Sequence, residues 1–134
     1  MTADEIKQYL AELNDELALK DIKGEISLFG GAVMVLAFNA RISTKDVDAI
    51  FQPTAEIRAA VKVIAGRHGL NDDWLNDGVK GYVVDHRKRL FFDMPNLTVF
   101  VPEADYLLAM KALAARVETD DGQARAARLK AGEL

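Results

Sequence analysis

Between Leu28 and Phe51 the chain reads LFGGAVMVLAFNARISTKDVDAIF, and the feature that most limits its fold is the Asp46-Val47-Asp48 triplet heading an apolar run. In a strand, side chains alternate faces with a period of two, so Asp46 and Asp48 are expected on one side while Val47 enters the core. Two carboxylates a few ångströms apart repel. They are tolerated most easily with a hard cation such as Mg²⁺ (or Mn²⁺) between them, since such an ion takes oxygen ligands, commonly one or two carboxylates. The triplet predicts a strand from Asp46 to Phe51 whose first residues face a metal.

The glycines upstream supply the other half of a site. Glu25 to Phe29 reads as a short strand and Ala32 to Phe38 as a short apolar helix, which puts Gly30-Gly31 at a strand-to-helix turn. Glycine has no Cβ, so a ligand can approach the backbone there, and the N–H groups of a helix start favour an anion such as a triphosphate. A phosphate cradle beside a metal-binding carboxylate pair is what nucleotidyl transfer requires.

Gly30-Gly31 followed by Asp46-Val47-Asp48 resembles the signature of the polymerase-β-type nucleotidyltransferase superfamily. The loop from Arg41 to Asp48, and the later Pro102-Glu103, Leu107-Leu108-Ala109-Met110-Lys111 and Ala115-Arg116, are similar to its small bacterial branch related to AbiEii-type toxins. The resemblance runs from about Glu25 to Asp121. It implies an α/β fold, a small mixed sheet with helices packed against it, and transfer of a nucleoside monophosphate from an NTP to an RNA or protein acceptor. Asp46 and Asp48 would then hold Mg²⁺, while Gly30, Gly31, Arg41 and Thr44 meet the nucleotide. Lys111 would neutralise phosphate charge. A third carboxylate is expected on a later strand, with Asp85 and Asp93 as candidates, or beyond Arg116 at Asp120. The toxin branch further implies an antitoxin protein as a partner.

At 134 residues the chain is expected to be one domain, 1–134, with an N-terminal helix inside 1–24 and a C-terminal tail over 122–134. A net charge of -4 argues against a surface that coats nucleic acid generally. There is no cysteine, which excludes a disulfide frame, a thiol nucleophile and Cys-ligated zinc. The longest apolar run, Ala32 to Phe38, is far short of the roughly 20 residues a membrane helix needs, and no basic-then-apolar leader begins the chain. A cytoplasmic protein with no membrane partner is expected.

Elsewhere the pattern is that of packing. Thr2 and Glu5 fit a capping box opening a helix from Thr2 to Lys20, with Ile6, Leu10, Leu13 and Leu17 on one face and Lys23-Gly24 as its stop. Pro53-Thr54 starts a second helix with Ile57, Ala60, Val61 and Ile64 inward. From Gly69 to Gly81 turn-forming residues surround Trp74, which is expected to pin an irregular segment to the core. Tyr82 to Asp85 and Leu90 to Phe92 read as short strands around the basic turn His86 to Arg89, and Asn96 to Val101 as a clearer one. Pro102 opens a last helix in which Lys111 lies among Leu107, Leu108, Ala114 and Ala115 at helical spacing. A second function class fits the same residues: a non-catalytic module of this fold that binds nucleotide or a partner protein.

Overall fold

The computed structural model describes residues 1–39, 41–81 and 87–103. The chain divides into two compact units, Met1–Pro102 and Glu103–Leu134, and all the described helices and strands belong to the first. Asp85, His86, Lys111 and Asp120 lie outside the described residues.

Helix α1 spans Ala3–Leu19, and its start is the capping box: the Glu5 N–H donates to Thr2 Oγ1 while the Thr2 N–H donates to Glu5 Oε1. Its inner face, Ile6, Leu10, Leu13 and Leu17, is wholly buried, each side chain contributing about 1.5–3 kcal/mol of transfer free energy. The helix ends within a residue of the expected Lys20. Lys20 caps it and Asp21 takes a left-handed backbone (φ 56°), a conformation that a short polar side chain tolerates. Gly24 already belongs to strand β1, Gly24–Phe29. A Cβ there would sit 3.0 Å from both Leu17 Cδ1 and Ile57 Cδ1, so the glycine lets the helices on that face close onto the strand.

Helix α2 follows directly as Gly30–Leu36, so the glycine pair forms its first turn rather than preceding it. Strand β2, Val47–Gln52, and helix α3, Thr54–His68, come next. Then follow the two-residue strand β3, Leu75–Asn76, a short 3₁₀ turn at Gly78–Gly81, and strands β4, Lys88–Asp93, and β5, Leu97–Pro102. The protein is α/β: the described residues form three α-helices and one mixed five-stranded sheet in the order β3-β2-β1-β5-β4. β1 is antiparallel to β2 and parallel to β5.

Alternation sorts the two faces of the sheet. Ile26, Leu28, Val47, Ala49, Val99 and Val101 are entirely buried, whereas Glu25, Ser27, Asp48, Ile50 and Thr98 are half-exposed. The helices α1 and α3 pack on each other, α3 on β2, and α1 on β5. Trp74 anchors the segment after α3 as its surroundings predict. It is buried, its Nε1 donates to the Val61 carbonyl at 2.9 Å, and its own carbonyl accepts from Val47 N at 2.7 Å. That bond leads the chain into β3 beside the head of β2. Among the described residues no helix is long and apolar enough to cross a membrane.

Candidate functional site

Strand register assembles the site. In the β1–β2 ladder Phe29, the last residue of β1, is the partner of Asp48, the second residue of β2. The turn into α2 therefore starts beside the Asp48 carboxylate. Gly30 sits there with φ +61°, and a Cβ on it would lie 2.8 Å from Asp48 Oδ2. Positive φ and this close approach together make glycine the residue that fits. Val47 is fully buried, as its place between the two aspartates predicts. Asp46 differs slightly from expectation: it lies in the bend one residue before β2 rather than in the strand.

The loop from Arg41 to Lys45 closes the other side. Thr44 is the one buried polar residue among those described, and its hydroxyl donates to the Asp46 carbonyl at 3.1 Å. A Cβ on Gly31 would meet Thr44 Oγ1 at 2.5 Å and Arg41 Nη1 at 2.9 Å. Hence Gly31 is the floor on which this loop rests. Gly30, Gly31, Arg41, Thr44, Asp46 and Asp48 thus converge on one end of the sheet.

The electrostatics are lopsided. Neither the Asp46 nor the Asp48 carboxylate has a hydrogen bond or ion pair among the described residues, and Arg41 has none either. Burial, and then the neighbouring Asp46 charge, push the Asp48 carboxyl above its ordinary value. Two half-exposed carboxylates that repel each other and have no cation partner among the described residues offer oxygen donors to a hard cation, and the pair could fill part of a Mg²⁺ shell.

Asp93 does not join them. It pairs with Thr98, which pairs with Glu25, which pairs with Gln52, so it lies at the far end of the sheet. Four residue steps along β1, from Glu25 to Phe29, separate that row from the Phe29–Asp48 row, about 13 Å along the strand. The other two candidates for a third carboxylate, Asp85 and Asp120, and the candidate cation Lys111 fall outside the described residues. Among those described, no three carboxylate, histidine or cysteine side chains gather into a group able to hold a metal.

Two contributors escaped sequence reasoning. Asn76 is the register partner of Asp48 on the side away from β1, and it is spent on local structure: its Oδ1 accepts from Gly78 N at 3.0 Å and its Nδ2 donates to the Asp73 carbonyl at 3.3 Å. The Asn76-Asp77-Gly78 run signals such a turn, but nothing local signals its pairing with β2. The second is the chain's first two residues, which pair with Ser43 and Thr44. No family model, curated protein or solved structure matches this chain.

Proposed function

We propose that this protein binds an NTP together with Mg²⁺ (or Mn²⁺) at the β1–β2 end of its sheet and transfers the nucleoside monophosphate to an RNA or protein acceptor. The observation that carries this reading is the Asp46–Asp48 pair, unpartnered among the described residues, with Asp48 held against the glycine turn. Asp46 and Asp48 would hold the metal, whose chemistry is to neutralise phosphate charge. Gly30 and Gly31 leave the backbone open to a phosphate, and Arg41, exposed against Gly31, supplies a guanidinium for its oxygens. In the transfer an acceptor oxygen attacks the α-phosphorus, the bond to the β-phosphate oxygen breaks and pyrophosphate leaves, while the acceptor's proton passes to solvent. Modification of RNA or protein in this way is the chemistry of a toxin, and an antitoxin protein is the partner that such a role calls for.

Titration of the protein with ATP, GTP, CTP and UTP, each with Mn²⁺, tests the site. Asp46→Asn combined with Asp48→Asn is expected to abolish metal-dependent nucleotide binding and leave the fold intact, because it removes a repulsion rather than a contact. Unchanged titrations in the double variant would refute the assignment.

A second reading, a nucleotide-binding module without catalysis, is favoured by one observation: among the described residues a carboxylate pair, and no triad, occupies the site. Incubation with labelled NTP and RNA or protein acceptors separates the two. Labelled product that disappears in the double variant supports transfer, and binding with no product supports the module.

A further inference from the structure

The loop that carries Arg41 and Thr44 has a support remote in sequence. Thr44 N donates to the Met1 carbonyl at 2.9 Å, the Met1 nitrogen donates back to the Thr44 carbonyl, and Thr2 and Ser43 form an isolated antiparallel bridge. Directly afterwards Thr2 caps α1, whose inner face is buried in the core. The 41–45 loop is therefore tied, through two residues, to a helix whose inner face is wholly buried.

Without that tie the loop has few anchors. Ile42 is 90% exposed and Arg41, Ser43 and Lys45 are also exposed, so no apolar burial holds its tip. Thr44 is the exception, buried and bonded to the Asp46 carbonyl. Both Thr44 main-chain groups go to Met1 and its side chain goes to Asp46. One residue thus joins the start of the chain to the metal-facing aspartates.

We propose that Met1–Thr2 is a positioning element for the nucleotide site: its pairing with Ser43–Thr44 holds the 41–45 loop against Gly31, setting where Arg41 and Thr44 meet a phosphate. This rests on the nucleotide reading given above. The clasp makes no contact with ligand. It fixes the fraction of molecules in which the loop is in place, and apparent affinity scales with that fraction.

The protein allows a direct test because it has no native cysteine. Thr2 and Ser43 are cross-strand partners, and an antiparallel pair has Cα atoms about 4.5–5.5 Å apart, inside the span of a disulfide. The double variant Thr2→Cys with Ser43→Cys, oxidised, locks the clasp, and reduction of the same sample is its control. A second variant inserts two glycines between Thr2 and Ala3, so that the first residues no longer reach in register. Each is measured by hydrogen exchange over residues 41–46 and by titration with Mn²⁺ and the NTP that wild type binds best.

Locking is expected to slow exchange at the Thr44 amide and to keep or tighten nucleotide affinity. The insertion is expected to speed that exchange and weaken affinity about tenfold, the effect of a tenfold fall in the competent fraction. Unchanged exchange on insertion would overturn the clasp, and faster exchange with unchanged affinity would overturn its role at the site. Loss of binding on oxidation would also overturn it, since the loop would then have to leave for ligand to enter. A wild type that binds no nucleotide refutes the nucleotide reading and with it the clasp's role at that site, while exchange still reports whether the clasp holds the loop.

Discussion

The α1–α3 seam and the β1–β2 end of the sheet both carry half-buried carboxylates, and they treat them oppositely. At the seam Glu12 is surrounded by donors: Arg67 Nη1 at 2.6 Å, His68 Nε2 at 2.8 Å and Gln8 Nε2 at 3.1 Å. Glu16 takes the other guanidinium nitrogen of Arg67 at 3.2 Å. The Tyr9 ring stands 4.9 Å from His68 and 5.5 Å from Trp74. Burial raises the Glu12 carboxyl, but hydrogen bonds from Arg67, Gln8 and His68 outweigh it and leave the group below its ordinary value. Asp48 has burial and a like charge acting together, with no donor among the described residues to offset them. A satisfied carboxylate fastens two helices. An unsatisfied one keeps coordination sites open, a cost to the free protein that a bound cation can offset.

The contrast is broken most forcefully at Trp74, which serves both regions. Its ring edges Tyr9 in the seam and its carbonyl holds Val47 at the head of β2. Trp74→Ala should cost about 3–5 kcal/mol, the range for deleting a large buried aromatic, seen as a lower urea midpoint. Loss of under 1 kcal/mol would show that the seam and the site are not tied through this residue.

Gly30→Ala probes the site's side alone. The added methyl meets Asp48 Oδ2 at 2.8 Å in a backbone with φ +61°, and a left-handed non-glycine residue costs about 1–2 kcal/mol. Denaturation should show that loss, and metal-dependent nucleotide binding should weaken as the carboxylate is displaced. Full stability with full affinity would mean that the turn is not closed on Asp48.

How far the sequence reveals these regions depends on whether the determining forces are local. Alternation of apolar and polar residues marks β1, β2 and β5 to within a residue, and the capping box marks the start of α1. The convergence of Gly30, Gly31, Arg41, Thr44, Asp46 and Asp48 was legible because one run of chain carries them, with the turn, the loop and the strand in succession. Asp93 was read as a candidate just past the strand-like Leu90 to Phe92, and its distance from Asp48 was not legible, because distance within a sheet follows from register and register from pairings between distant segments. The same holds for Asn76 beside Asp48 and for Met1–Thr2 against Ser43–Thr44. The end of α1 at Lys20 was legible to within a residue, whereas Gly24, read as part of the stop signal, owes its identity to Leu17 and Ile57 closing on it from two helices.

The smallest effects are the most discriminating, since the two carboxylates should respond to pH with opposite signs. Glu12 has a lowered folded value, so its stabilisation is present above the unfolded value near about 4.3 and is lost as pH falls through the folded value. Glu12→Gln should then cost on the order of 1 kcal/mol at neutral pH, the upper end for a partly exposed ion pair, with the deficit vanishing in acid. Asp48 has a raised folded value. Its ionisation therefore costs stability once pH rises above the folded value, and the cost disappears below the unfolded value near about 3.9. Asp48→Asn should make the metal-free protein slightly more stable at neutral pH, by less than about 1 kcal/mol given its half-exposed position, and the gain should fade as pH falls. Added Mn²⁺ should reverse the order, stabilising wild type and not the variant. Parallel melting curves for both variants at pH 3.5 and pH 7, with and without Mn²⁺, check all of this. If Asp48→Asn destabilises as Glu12→Gln does, the Asp48 carboxylate is a structural partner like Glu12, and the division between a fastened seam and an open site does not hold.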